Sequence, residues 1–295
     1  MLTVAGIPVT EHQLMMAKAA GIKEVVLATS YLAEVFTPYF GDGSQWGMSI
    51  KYAVEKEPLG TGGAIKNAAQ YLETEELVVI LNGDVLSSHD LSEQIRQHEL
   101  HDADVTLHLT EVEDARAFGC VPTDSEGRVT AFLEKMENPV TNQINAGCYV
   151  FNPQVISSIP SDTVVSVERE TFPQLVNSGA KVYGYLENAY WLDIGTPKAL
   201  LKASTDLVLR TGQELVMPGA TVDPSAEISS GSCIGRGATV AAGARIAGSI
   251  VEADAVIGAQ AVITNSFVAA GATVENGAKI ASSFVTKGEI LPIPQ

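Results

Sequence analysis

Positive charge is scarce in this chain: 18 Lys and Arg stand against 35 Asp and Glu among 295 residues, a formal net charge of −17. Nucleic-acid binding needs a basic footprint, so that class is excluded. An anionic ligand would have to be met by a metal ion or by a few local cations. Long apolar runs are missing as well. No stretch approaches the roughly 18 residues of a membrane span, and no signal peptide opens the chain, so no membrane role is expected. Cysteine is rare: Cys120, Cys148 and Cys233 have no CxxC spacing, which reads as reduced thiols in a cytoplasm. The five histidines (His12, His89, His98, His101, His108) show no metal-site spacing, and His98 with His101 reads as a solvated pair on one helix face. What is present, 46% hydrophobic and 18% charged residues, fits a globular protein of one large or two medium domains.

The chain is organised around residues 77–86, LVVILNGDVL. A short apolar run ending in a polar turn reads as a fully buried central strand of a parallel sheet. Ligands sit beyond the carboxyl ends of such strands, which puts Asn82, Gly83 and Asp84 where a substrate belongs. The plain alternative is a turn Asp capping the next helix.

The elements on either side alternate. TEHQ at 10–13 has capping-box spacing and Gly21 suits a stop, so 11–20 should be helical. Strands are expected at 25–27, 49–54 and 105–109. Helices are expected at 31–40, at 64–72, and from the capping box of Asp90 and Glu93 to about His101. This is an α/β pattern implying a mostly parallel, doubly wound sheet. Short strands and turns fill 118–151. Helices after Pro153 and near Ser166, a strand at 182–186, the segment 190–193 and a helix at 197–209 complete the first domain, residues 1–210.

From 211 to 295 the texture changes. Val222, Ile228, Ile234, Val240 and Ile246 recur every six residues, and Val251, Ile257, Ile263, Val268, Val274, Ile280 and Val285 continue at steps of five or six. One inward aliphatic per six residues is the signature of a hexapeptide parallel β-helix, here of roughly three and a half coils.

Several segments could carry chemistry. Glu57 to Gly63, EPLGTGG, puts Gly60, Gly62 and Gly63 between a strand and a helix, where backbone can approach a planar base or an anion closely. It lacks GK[ST] and so is no Walker loop. A tight turn with no ligand is the alternative. Asp193 ends an apolar segment before a helix, and with Asp84 it could hold Mg²⁺, which usually takes one or two carboxylates plus substrate phosphates. Its alternative is a charge at a helix start. Glu134 and Asn145 lie at strand ends and could bond sugar hydroxyls, while Lys135 could meet a phosphate as a point charge. Gly119 offers another close backbone approach.

Together, EPLGTGG at 57–63, NGD at 82–84, AFGCVPTD at 117–124, FLEK at 132–135, QINAGCYVF at 143–151, VSVERETFP at 165–173 and YWLDIGTP at 190–197 resemble the nucleoside-diphosphate-sugar pyrophosphorylases. Within them, the actinobacterial mannose-1-phosphate guanylyltransferases (GDP-mannose pyrophosphorylases) are most similar. The resemblance implies a Rossmann-like nucleotidyltransferase domain over 1–210, followed by a left-handed parallel β-helix over 211–295. It implies a cytoplasmic transferase making a nucleoside-diphosphate sugar, GDP-mannose, from GTP and mannose 1-phosphate with release of pyrophosphate. Other triphosphates and hexose 1-phosphates stay open. By the same resemblance Asp84 and Asp193 hold Mg²⁺, and Glu57, Gly60, Gly62, Gly63, Asn82 and Gly83 meet the nucleotide. Gly119, Glu134 and Asn145 face the sugar, and Lys135 meets its phosphate. Asp84, Asp193 and Lys135 are the catalytic set, and the protein is a homo-oligomer through its β-helix.

The family's first strand and GGxGTRLRPLT loop have no counterpart here. Met1 falls where the Met of the following PKPM would lie. The expectation is a missing mid-sheet strand, unpaired backbone beside it, and a poor catalyst whose remaining nearby cations are Lys66, Arg116 and Lys135. Two explanations stand side by side: an enzyme whose start is mis-set, with the loop upstream, or a degenerate copy, for which a non-catalytic regulatory or sugar-nucleotide-sensing subunit is the competing reading. An acyltransferase built on the β-helix is disfavoured, because no histidine follows His108.

Overall fold

The computed structural model describes residues 1–29, 33–55, 57–72, 77–133 and 135–294. The chain opens on a hairpin, β1 (Thr3–Val4) and β2 (Ile7–Pro8). It continues through α1 (Val9–Ala19), β3 (Glu24–Thr29), α2 (Ala33–Phe40), β4 (Ser49–Val54), α3 (Gly60–Ala69), β5 (Val78–Leu81), β6 (Val85–Ser87) and α4 (Leu91–Leu100). Then come β7 (Val105–Glu111), β8 (Gln143–Phe151), α5 (Pro153–Ser158), α6 (Phe172–Asn177), β9 (Val182–Leu186), β10 (Trp191–Asp193) and α7 (Pro197–Arg210). Two compact units result: Met1 with Gln13–Trp191, and Leu2–His12 with Leu192–Gln295. No helix among the described residues is long and apolar enough to cross a membrane.

In the first unit the strand–helix alternation is as expected, with instructive differences at helix ends. α1 begins before Thr10, which lies in the first turn instead of capping it. Its stop is the expected one: Gly21 takes φ +84° and donates its N–H to the Lys18 carbonyl at 2.9 Å, a conformation only glycine adopts freely. Asp90 caps α4 by accepting the Glu93 N–H at 3.0 Å. The box is half-closed, because Glu93 turns to Arg96 and Gln97. The expected helix at 31–40 is seen from Ala33 to Phe40, and its first two residues lie outside the described ones.

One sheet runs β5-β8-β7-β9 and a separate parallel pair is β3-β4. β8 is antiparallel to both its neighbours, while β7 and β9 are parallel. The buried centre is thus β7 and β8, not residues 77–81. β5 is half-buried along its length and, among the described residues, pairs with β8 alone. An apolar run of four does not distinguish a centre from an edge, because a helix layer can cover an edge strand equally well. Tyr149 and Phe151 of β8 meet Phe172 of α6 edge-on, with ring centroids 5.0 and 5.9 Å apart. Leu107 and Leu109 of β7 join them in the core. A second cluster seats α1 through Leu14 and Ala17 against Phe40, Met48 and Ile50.

The second unit carries the β-helix in the expected register. Ile234, Val240, Ile246, Val251, Ile257, Ile263, Val268, Val274, Ile280 and Val285 form one core, with Val222 and Ile228 packed against it. Parallel rungs stack into three sheets. A serine ladder closes one corner: the Ser249, Ser266 and Ser283 N–H groups donate to the hydroxyls of Ser232, Ser249 and Ser266, each 17 residues earlier and each at 3.1 Å. Outward residues of a rung are normally exposed, yet Cys233 and Ile250 are fully buried. α7 packs on those two strands, and the hairpin joins it there. The Ala5 N–H donates to Ser204 Oγ, and the Thr3 hydroxyl donates to Glu252 at 2.6 Å. Burial raises the Glu252 carboxyl.

His89, His98 and His108 are buried while His101 is half-buried, which corrects the expectation for His98: it bonds Thr106 Oγ1 inside the unit at 3.0 Å. His89 and His108 stack at 3.9 Å. Burial and the His89 ring push His108 down to about 3, and burial lowers His89 and His98 too. A base neutral when folded but protonated when unfolded stabilises only above its unfolded value of 6.5, so stability falls as pH drops below that value. The slope is at most about 1.4 kcal/mol per pH unit for each such group. Thermal unfolding between about pH 7.5 and pH 5 should show the midpoint falling with pH. His108→Leu should flatten that fall, and an unchanged slope would show that other groups set it.

Candidate active site

The site is built on an irregularity in β8. Leu107 pairs with Tyr149 and Leu109 with Asn145, so His108 alone stands opposite Ala146, Gly147 and Cys148. The extra residues bow out, as β-bulges do beside functional sites, and Gly147 takes φ +78°. Three contacts converge on the bow. The Asn82 N–H donates to the Gly147 carbonyl at 2.8 Å. The Gly147 N–H donates to Asn145 Oδ1 at 3.1 Å, and Trp191 Nε1 donates to the Ala146 carbonyl at 2.9 Å. Trp191 also meets Phe118 edge-on at 5.7 Å, which brings the 118–120 segment alongside.

The turn after β5 therefore has a fixed base. Asn82 is half-buried, while Gly83 and Asp84 are exposed. The cap of α4 is Asp90, which removes helix capping as Asp84's role. Gln13 of α1 donates from Nε2 to the Asn82 carbonyl at 2.7 Å and to the Val85 carbonyl at 3.0 Å.

Asn145 stands on the bulge as expected, but its amide is half committed. Oδ1 accepts from Gly147 and Nδ2 donates to the Tyr149 hydroxyl at 2.9 Å, leaving one N–H and one lone pair for a ligand. Gly119 lies where a Cβ would come within 3.0 Å of the Leu133 carbonyl, so its backbone approach is to the chain itself. Lys135 is exposed. Glu134 lies outside the described residues.

The glycine segment differs most from expectation. α3 starts at Gly60, not at 64, so the glycines form its first turn. They face residues 163–165. A Cβ on Gly60 would meet the Val165 carbonyl at 2.6 Å, on Gly62 the Val165 side chain at 2.8 Å, and on Gly63 the Thr163 carbonyl at 2.6 Å. The Gly62 N–H is spent on the Val165 carbonyl at 2.8 Å. Thr61 adds a bond to Glu168 at 3.0 Å and accepts from the Val167 N–H at 2.9 Å. Close packing of two chain segments thus accounts for the three glycines, and Glu57 remains exposed beside them.

In the second unit, Asp193 is exposed and its Oδ1 accepts the Gly195 N–H at 2.8 Å. α7 is capped by Thr196, which accepts from the Ala199 N–H at 3.2 Å, so Asp193 is not that helix's cap. No group of three or more His, Cys, Asp or Glu among the described residues could hold a metal ion. An all-protein cage is therefore not built here. Asp84 and Asp193, each taken within its own unit, are exposed carboxylates, and a carboxylate is a hard oxygen donor of the kind Mg²⁺ takes together with substrate phosphates.

Residues 1–209 match the family described as nucleotidyl transferase. The chain belongs to that family. Residues 210–290 match the GMPPB C-terminal domain. Mannose-1-phosphate guanylyltransferase of Mycobacterium tuberculosis is 52% identical over 237 residues, which are 77% of this chain and 66% of that one. Mannose-1-phosphate guanyltransferase of Pichia angusta is 34% identical, over 75% of this chain and 64% of that one. The chain thus spans just under two thirds of the length of these relatives. The crystal structure of HddC from Yersinia pseudotuberculosis aligns with a TM-score of 0.60 at 28% identity, covering 70% of this chain and 88% of that one. The same protein complexed with GMP-PN aligns equally well.

Sequence reading assigns Gln13 only a capping-box place and no site role to Gly147, Tyr149 or Trp191. Gly147 carries a signal, since a glycine inside an apolar strand marks a bulge. Gln13 carries none. The packing role of these glycines is testable without any nucleotide. Gly60 has φ +70°, so Gly60→Ala combines a left-handed residue with a backbone clash and should cost about 2 kcal/mol or more in thermal or urea unfolding. An unchanged midpoint would return these glycines to a purely ligand-binding role.

Proposed function

We propose that this chain carries the transfer chemistry of sugar-nucleotide synthesis, making GDP-mannose from GTP and mannose 1-phosphate. A phosphate oxygen of the sugar phosphate attacks the α-phosphorus of the triphosphate, and the bond to the leaving pyrophosphate breaks. The observation that carries this reading is the exposed Asp84 on a turn held rigidly at its base. Membership of the nucleotidyl transferase family and the activities for which its relatives are named support it. A divalent cation, Mg²⁺ by the donor chemistry of Asp84 and Asp193, would supply charge neutralisation at the phosphates. The chain's own contribution is positioning, which dominates in-line phosphoryl-type transfer.

Asn145 offers an N–H and a lone pair to sugar hydroxyls, and Glu134 and Gly119 are assigned to the same sugar. Lys135 meets the sugar's phosphate. Glu57 and the first turn of α3 border the nucleotide with Asn82 and Gly83. Residues 1–210 are the transferase module and 211–295 a β-helix through which copies associate. All three cysteines are unpaired, which supports a cytoplasmic setting.

Pyrophosphate release by the protein as it is made in the cell tests the assignment. GTP with mannose 1-phosphate should give the highest kcat/KM when compared with ATP, UTP, dTTP and glucose 1-phosphate. Asp84→Asn should lower it by more than about tenfold, some 1.4 kcal/mol. A better pair would overturn the specificity, and full activity in Asp84→Asn would overturn the metal role.

A further inference from the structure

The turn that presents Asp84 has little of its own to hold it. A Cβ placed on Gly83 would meet nothing within 4 Å. The bond across the turn, from the Val85 N–H to the Asn82 carbonyl, is long at 3.3 Å. What closes it from outside is Gln13, whose single Nε2 bridges the carbonyls of Asn82 and Val85, one on each side of Gly83-Asp84. Both acceptors are carbonyl oxygens, so the atom between them must be the amide nitrogen. One NH₂ supplies both hydrogens. An Ala has no donor to offer, and a carboxylate would set acceptor against acceptor. Gln13 is also well founded. It stands on α1, and the next residue, Leu14, is buried in the cluster with Ala17, Phe40, Met48 and Ile50. A polar clamp on a rigid element is how a functional group is held within a fraction of an ångström.

We propose that Gln13 is the positioning residue of the Asp84 turn: its two-pronged amide fixes the direction in which the carboxylate meets a divalent cation. The proposal rests on the metal reading of Asp84. Gln13 touches neither substrate nor ion and acts through the turn. Its removal should cost metal affinity first and global stability little, since the α1 core is left intact.

The test is Mn²⁺ binding followed by electron paramagnetic resonance, with GTP present and no sugar phosphate, so that no turnover intervenes. Wild type, Gln13→Glu, Gln13→Met and Asp84→Asn are compared, with thermal unfolding of each. Gln13→Glu and Gln13→Met should bind Mn²⁺ about tenfold more weakly or worse, the usual effect of losing a partner that orients a metal ligand. Their unfolding midpoints should stay near that of wild type. The Glu variant gives a second signature. As pH is lowered its carboxyl takes up a proton and regains one donor, so its deficit relative to wild type should shrink, while that of the Met variant stays constant. Weak binding in Asp84→Asn with wild-type binding in both Gln13 variants would overturn the positioning role and leave the metal reading standing. Wild-type binding in Asp84→Asn would overturn the metal reading itself, and the positioning role with it. A Gln13 deficit that follows loss of folded protein, with no pH signature, would reduce Gln13 to a structural residue.

Discussion

Gly147 is the point on which the candidate site depends. At φ +78° it lets β8 insert a bow opposite His108 without leaving the sheet. The bow turns the Gly147 carbonyl toward the Asn82 N–H, the Gly147 N–H toward Asn145, and the Ala146 carbonyl toward Trp191. A regular strand would spend those groups on the ladder with β7. Space is constrained as tightly as conformation: a Cβ at 147 would stand 3.0 Å from the Asn82 side-chain nitrogen. The turn bearing Asp84, the amide of Asn145 and the aromatic pair of Trp191 and Phe118 are thus set by one backbone irregularity.

Rigidity comes from the layers on either side of that strand. Tyr149, two residues on, is fully buried against Phe172 and yet anchors Asn145 through its hydroxyl. Burial raises the Tyr149 hydroxyl's pKa, so it stays a neutral donor and acceptor. In the other unit, order comes from repetition. Each coil of the β-helix is fixed by inward aliphatics and by serines that bond the next coil, while α7 and the opening hairpin cover the rungs at Cys233 and Ile250.

The β-helix was fully legible, because a period sustained from Val222 to Val285 overrides any local ambiguity. Stops such as Gly21 and the cap at Asp90 were legible from local chemistry. The rank of β5 in its sheet was not. Four apolar residues record burial of side chains, not how many neighbours a strand has, and the long antiparallel β8 took the central place. The glycines at 60, 62 and 63 announced a close approach correctly but not what approaches: it is the backbone of 163–165, a hundred residues on. Asn145 was legible as a polar group at a strand end, yet its commitment to Gly147 and Tyr149 depends on the bulge. Gln13 was legible only as the end of a capping box, since one polar side chain on a helix face says nothing of the two carbonyls it will meet.

Amide hydrogen exchange in Gly147→Ala tests the dependence on the bulge most directly. A left-handed alanine costs about 1–2 kcal/mol, and the Asn82 side chain must give way as well. The Asn82 amide, bonded to the Gly147 carbonyl, should then exchange about tenfold faster or more. Amides of the serine ladder at Ser249 and Ser266 should keep their wild-type rates. Unchanged protection at Asn82 in the folded variant would contradict the account, because the turn that presents Asp84 would then be held by something other than the bow in β8.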